Sequence, residues 1–161
     1  MLPTVHDPSG RTETPRGTRL LWLGAALTTV GVGLFPRLNA VIYEHVPIWR
    51  LDPEAQVLLP AGLLLSLLVF ATLGRWACRA GGHTNRPARV GLVTGVLGIL
   101  GVLVFFLSLP ILLGGLAVTL GVEGRLRAAT EGRLRRANLA IGLGLLAVVI
   151  GAAIWLFAGG D

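Results

Sequence analysis

Glu123-Gly-Arg-Leu-Arg-Ala-Ala-Thr130 is followed at once by Glu131-Gly-Arg-Leu-Arg-Arg-Ala-Asn138, a near-exact tandem repeat carrying five arginines. It separates two uncharged apolar runs, Val90 to Val122 and Leu139 to Phe157. In a chain that crosses a membrane, the side on which this basic segment lies determines how many crossings the preceding run must make. The reading of the fold starts here.

That the chain belongs in a membrane follows from composition. Of 161 residues, 53% are hydrophobic and 14% charged, against about 25% charged in soluble domains, and mean hydropathy is +0.76. Several stretches reach the ~18 apolar residues that a spanning helix needs. The predicted class is all-α: a polytopic transmembrane helix bundle.

The run Val90–Val122 holds 33 residues without a charge. As one helix it would be ~50 Å long, and a ~30 Å hydrocarbon core would demand a tilt beyond the usual ~40°. Pro110, after Ser108, divides it into two helices joined by a tight turn. Arginine placement separates the two topologies, because cytoplasmic loops carry the excess of basic residues. Four spans put seven arginines on each side. Five spans put twelve inside, with only Arg37 and Arg50 outside. Five spans are therefore predicted, at about 18–35, 54–77, 89–107, 110–127 and 138–158, the third and fourth forming a hairpin at Pro110, with four spans as the alternative. Trp22 and Trp76 then fall at inner helix ends, and Trp49 and Trp155 at the outer level, as an aromatic belt requires.

The remaining segments take their places around these spans. Residues 1–17, rich in Pro, Thr and charge, read as a flexible cytoplasmic tail. Residues 18–158 form one transmembrane domain, with an uncleaved first span. Residues 36–53 are the outer loop. Asp52-Pro53-Glu54 opens the second helix with a capping side chain, a proline in the first turn and an acid after it. Pro60 predicts a kink in that helix. Residues 123–137 are an Arg-rich inner loop, and Arg125, Arg127, Arg133, Arg135 and Arg136 are its topogenic residues, facing anionic headgroups. Placed on one helix, the two copies of the repeat would lie ~80° apart and give a broad basic surface rather than a nucleic-acid reader.

Small residues recur at three- and four-residue steps on two spans: Gly91, Gly95, Gly98 and Gly101 on the third, and Ala140, Gly144, Ala147 and Gly151 on the fifth. Such stripes let helix backbones approach closely in lipid, and the expected use is packing of the third span on the fifth, with a dimer face as the competing use. Gly142-Leu-Gly144-Leu-Leu-Ala147 matches a dinucleotide fingerprint in letters only, since no strand precedes it.

Chemistry-bearing residues are sparse. Cys78 is the only cysteine, which excludes an internal disulfide and a cysteine-based metal site. Glu44, His45, Asp52 and Glu54 have no ligand spacing, and an interfacial segment is the simpler reading of their loop. Away from their ends, the predicted spans hold no ionisable residue of the kind that marks an ion or proton path. No catalytic residue, cofactor site or metal site is expected.

Gly114-Gly115-Leu116-Ala117 through Gly121, the arginine-rich connector, Gly132-Arg133 and Leu139-Ala140-Ile141-Gly142-Leu143-Gly144 together resemble a group of small actinobacterial membrane proteins classed as a domain of unknown function. The resemblance covers about Arg89 to Phe157, and the doubled connector with two glutamates departs from the group's short basic loop. It implies the same threading and no activity. The functional expectation is a non-enzymatic protein of the bacterial cytoplasmic membrane, its N-terminus inside and its C-terminus outside. It would serve as an assembly, scaffold or regulatory partner, as a homo-oligomer or with another membrane protein. The alternative is a small channel or carrier for a neutral or lipid-like substrate.

Overall fold

The structure, a computed structural model, describes residues 16–43, 45, 47, 53–79, 85–101, 108–128 and 131–157, and all its regular elements are helical. They are α1 (Arg16–Tyr43), α2 (Pro53–Val69), a π-helical turn (Phe70–Gly74), α3 (Arg75–Arg79), α4 (Arg86–Leu100), α5 (Leu109–Leu126) and α6 (Glu131–Phe157). Helices suit this sequence because, in lipid, only a helix or a closed barrel satisfies every backbone polar group within itself.

Four helical stretches are long and apolar enough to cross a membrane: Arg19–Tyr43, Gln56–Cys78, Leu109–Leu126 and Glu131–Phe157. The described α4 has 15 residues, ~22 Å of helix, and does not reach that length. The expected end of this span, residues 102–107, lies outside the described residues, as do the tail 1–15 and most of the loop 44–52.

Close contacts give the helix directions. Gly91 and Gly98 of α4 meet Leu120 and Leu113 of α5, so the number on one falls as the other rises, and the pair is antiparallel. Gly121, Gly114 and Gly151 likewise match α5 with α6 in antiparallel order, through Ile141, Val148 and Ile111. Gly24 against Thr119 and Gly31 against Ile111 set α1 antiparallel to α5, and Gly33 against Leu63 with Thr29 against Ser66 sets it antiparallel to α2. The run Val90–Val122 thus folds back on itself. Gly101 already abuts Leu109, and Ser108 enters α5 in the left-handed conformation at φ 52°, with Pro110 in the first turn.

Helix α5 is the central pillar and the most buried of the four long helices. Its Leu116 and Leu120 pack with Leu21 and Ala25 of α1, Phe70 of the π-turn and Ala77 of α3. Nearer its start, Ile111 and Leu112 pack with Val32 of α1. The π-turn follows from Arg75, whose N–H reaches back five residues to the Phe70 carbonyl, and at Gly74 it makes room for Leu21. Outside the bundle, Leu27 (67% exposed), Leu64 (68%) and Val149 (62%) point away from all protein. Apolar surface on this scale is unfavourable in water and neutral in lipid.

Three boundaries differ from expectation. Helix α1 does not stop at Pro36 but runs to Tyr43, so residues 36–43 are not loop. Proline removes only one backbone hydrogen bond, and the turns beyond it are held by Asn39, whose side-chain amide donates to the Trp155 carbonyl of α6. The Arg-rich loop 123–137 is largely helix: the first copy of the repeat ends α5 at Leu126, and the second opens α6 at Glu131. The copies therefore lie on two helices and form no single continuous basic surface. In the second span a π-turn at Phe70–Gly74 interrupts the α-helix where no break was expected, and Pro60 sits inside α2.

Candidate functional site

The small-residue stripes mark where three helices meet. A Cβ added to Gly91 would lie 3.3 Å from Ala140 Cβ; on Gly95, 3.0 Å from Leu143 Cβ and 3.4 Å from Gly144 N; on Gly98, 3.1 Å from Ala147 Cβ. These contacts join α4 to α6. Gly101 instead faces Leu109, and Gly151 faces Pro110 and Ile111, both in α5. Close approaches to backbone also involve α5 residues outside those two stripes. A Cβ on Gly114 would meet Gly144 O at 2.6 Å, one on Gly121 would meet Ala137 O at 3.1 Å, and one on Gly124 would meet Ala88 N at 2.8 Å. The sequence signal was available, because Gly114, Ala117, Gly121 and Gly124 recur at the same three- and four-residue steps.

At the end of the bundle where α3 and α5 finish and α4 and α6 begin, a polar clasp ties the four together. Glu123, one turn before the end of α5, is 5% exposed. Its Oε1 accepts from Arg127 Nε and Nη2, both at 2.6 Å. Arg127 Nη1 donates to the Cys78 carbonyl at 3.0 Å, satisfying one of the acceptors that the last turn of α3 leaves open. Asn85, 8% exposed, precedes α4, and its amide donates to the Arg133 carbonyl of α6 at 3.2 Å. Glu123 Oε2 and Asn85 Oδ1 are buried without a hydrogen-bond partner among the described residues. Arg86 lies over the Trp76 ring, 4.6 Å from its centroid.

The five arginines of the repeat divide accordingly. Arg125, Arg135 and Arg136 are exposed, Arg133 is half-buried, and Arg127 turns inward. Arg127 thus departs from the expectation of a headgroup-facing residue, because a carboxylate buried one helical turn away is a stronger partner than water or lipid. Sequence reading also missed Glu123 as a buried group. Its i,i+4 spacing to Arg127 was visible, its burial was not.

A second feature lies on the outer side of α6. A shallow, open depression on this one helix is lined by Glu131, Arg135 and Asn138 at one end and by leucines around Gly142 along the rest. A Cβ on Gly142 would have nothing within 4 Å. Glu131, Arg135 and Asn138 have no hydrogen-bond or ion-pair partner among the described residues.

The threonines serve packing. Thr28 seats against Gly115 and Thr119 against Gly24. Thr72, Thr94 and Thr119 bond back to carbonyls of their own helices, and Thr29 pairs with Ser66 at 3.1 Å. His45 is exposed, with Nδ1 3.4 Å from the Tyr43 carbonyl, while Glu44, Asp52 and the Glu54 side chain lie outside the described residues. Among the described residues, no group of three His, Cys, Asp or Glu side chains is placed to hold a metal. No family model, no curated protein and no solved structure matches this chain.

Proposed function

We propose that the chain is a non-enzymatic integral membrane protein of five crossings that acts as an assembly, scaffold or regulatory partner. The single observation carrying this reading is the open face of α6, where a Cβ on Gly142 would have nothing within 4 Å and Leu139 and Leu146 are exposed. A small residue flanked by polar groups that have no partner among the described residues suits a close helix contact in lipid. The pressing of Thr28 and Thr119 against glycines weighs against a polar solute path through the bundle.

Support for five crossings comes from the level of α4. Its start lies beside Gly124 and its end beside Leu109, so it covers nearly the full height of α5, itself long enough to span. The arginine count then puts the clasp end in the cytoplasm, where the exposed Arg19, Arg75, Arg89, Arg125, Arg135 and Arg136 meet anionic headgroups. The resemblance to small actinobacterial membrane proteins of unknown function agrees with that threading.

Two measurements test the reading. Reporter fusions within Ala128–Thr130 and after Asp161 are expected on opposite sides, the first cytoplasmic; a shared side sinks the five-crossing topology. Mild-detergent extraction of the tagged full chain is expected to yield a stoichiometric complex. A monomer that conducts a neutral solute in vesicles would instead favour the channel or carrier.

A further inference from the structure

We propose that the open face of α6 is a two-fold interface with a second copy of this chain, centred on Gly142 and closed at its cytoplasmic end by reciprocal Glu131–Arg135 pairs. The proposal rests on the reading of the chain as a membrane assembly component and names its partner.

Two copies inserted the same way in one bilayer are related by a two-fold axis along the membrane normal, so each α6 lies against its counterpart in parallel and each residue falls near its own equivalent. Such a contact requires a self-complementary patch. On α6, Glu131, Arg135, Asn138, Gly142 and Leu146 follow one another at steps of three and four residues and line the same depression. Gly142 is where two backbones can approach, because it carries no side chain and nothing fills the space its Cβ would take.

Four residues on a helix span ~6 Å, a distance that Glu131 and Arg135 side chains of facing copies readily bridge. Each copy offers both charges, neither of them paired among the described residues, so two equivalent ion pairs close the interface. Asn138 carries both donors and an acceptor with no partner at the start of the apolar span, and an amide of this kind matches its own equivalent. An anionic lipid suits the patch less well, because Glu131 would face the headgroup charge. This face is distinct from the Ala140, Gly144, Ala147 and Gly151 stripe, which is occupied by α4 and α5.

The test uses the full chain with Cys78→Ser, in vesicles of phosphatidylethanolamine and phosphatidylglycerol. Single cysteines at Gly142, Leu146 and, as a control on the opposite side, Leu64 are oxidised and scored for disulfide-linked dimer. Cross-linking at Gly142 and Leu146 and none at Leu64 is the expected result; equal linking at all three, or none at Gly142 and Leu146, overturns the proposal. Glu131→Arg and Arg135→Glu alone are each expected to weaken the dimer roughly tenfold, and the double exchange to restore it. Gly142→Ile is expected to abolish the dimer while helicity is kept and thermal unfolding of the monomer in detergent is no lower than the parent's. If the single exchanges have no effect, or the double exchange fails to restore pairing, the reciprocal ion pairs are wrong. Linking of Gly142 to a different membrane protein in native membranes sinks the self-pairing while leaving the assembly reading in place. A chain that is monomeric by every measure and copurifies nothing loses both.

Discussion

Gly114 of α5 and Gly144 of α6 face each other so closely that a Cβ on either would strike the other's carbonyl oxygen, at 2.6 and 2.7 Å. The obstacle in each case is backbone, which cannot rotate aside as a side chain can. Gly114→Ala and Gly144→Ala must therefore push α5 from α6, at a cost of about 1–3 kcal/mol each from overpacking. The double variant is expected to cost less than the sum, since the first displacement opens the space for the second methyl group. Gly142→Ala is the control: with nothing within 4 Å, it gains helix propensity of up to about 1 kcal/mol within the monomer. Unfolding in mixed micelles, followed by circular dichroism, orders these variants. A Gly144→Ala chain as stable as the parent would contradict the packing described.

Arg127 and Glu123 form the one ion pair seen among the described residues, and its value is asymmetric. Arg127→Ala leaves a carboxylate buried without compensation and frees the Cys78 carbonyl as well. A buried pair broken from one side costs about 3–5 kcal/mol, and partial exposure of the Arg127 side chain brings the expectation to about 2–4 kcal/mol. Glu123→Gln should cost less, because no full charge remains buried. Glu123→Leu with Arg127→Met is expected within about 1 kcal/mol of the parent or above it, since replacing both charges with apolar groups removes the desolvation cost too. A double-mutant cycle by the same unfolding assay measures the coupling, and additive single effects would show that the two side chains act independently.

The two copies of the repeat show where sequence reading ran out. Glu123 and Glu131 occupy the same place in nearly identical octets, yet Glu123 is buried and Glu131 exposed. The difference is positional. The first copy ends the central helix, where α3 and α4 close over it, and the second opens a helix at the edge of the bundle. Local sequence carries no information on which helix will be central. Periodicity, length and punctuation did reveal that Val90–Val122 holds two helices, with the second starting beside Pro110, as well as the start of α2 at Pro53 and the small faces of α4 and α6. They failed at Pro36, where a tertiary bond from Asn39 to α6 sustains a helix that the local rule would end.

Ser108 holds φ 52° and ψ 28° at the entrance to α5, a left-handed conformation that costs a residue with a Cβ about 1–2 kcal/mol. Glycine adopts it freely but loses more entropy on folding, about 0.5–1 kcal/mol. The net expectation for Ser108→Gly is a gain of about 0.5–1 kcal/mol, whereas Ser108→Val, whose branched side chain tolerates this region poorly, should destabilise the hairpin by more than that gain. Both are read by thermal unfolding in detergent, and a loss of stability in the glycine variant would count against the left-handed turn.

Asn85 links the start of α4 to α6 through a single donor, its amide on the Arg133 carbonyl, while its own Oδ1 is buried with no partner among the described residues. Removing the side chain deletes one hydrogen bond but also one unsatisfied acceptor, so Asn85→Ala is expected to cost only about 1 kcal/mol. Asn85→Asp exchanges the donor for a second acceptor and places a carboxylate against the Arg133 carbonyl oxygen. That change should cost about 2–3 kcal/mol, because the repulsion adds to the desolvation of a charge with no cation committed to it. The order Asn85, then Ala, then Asp in unfolding midpoint is the expected result. An aspartate variant more stable than the alanine one would mean that a neighbouring arginine turns to meet it, and that the clasp is a charge-binding site rather than a hydrogen-bonded tie.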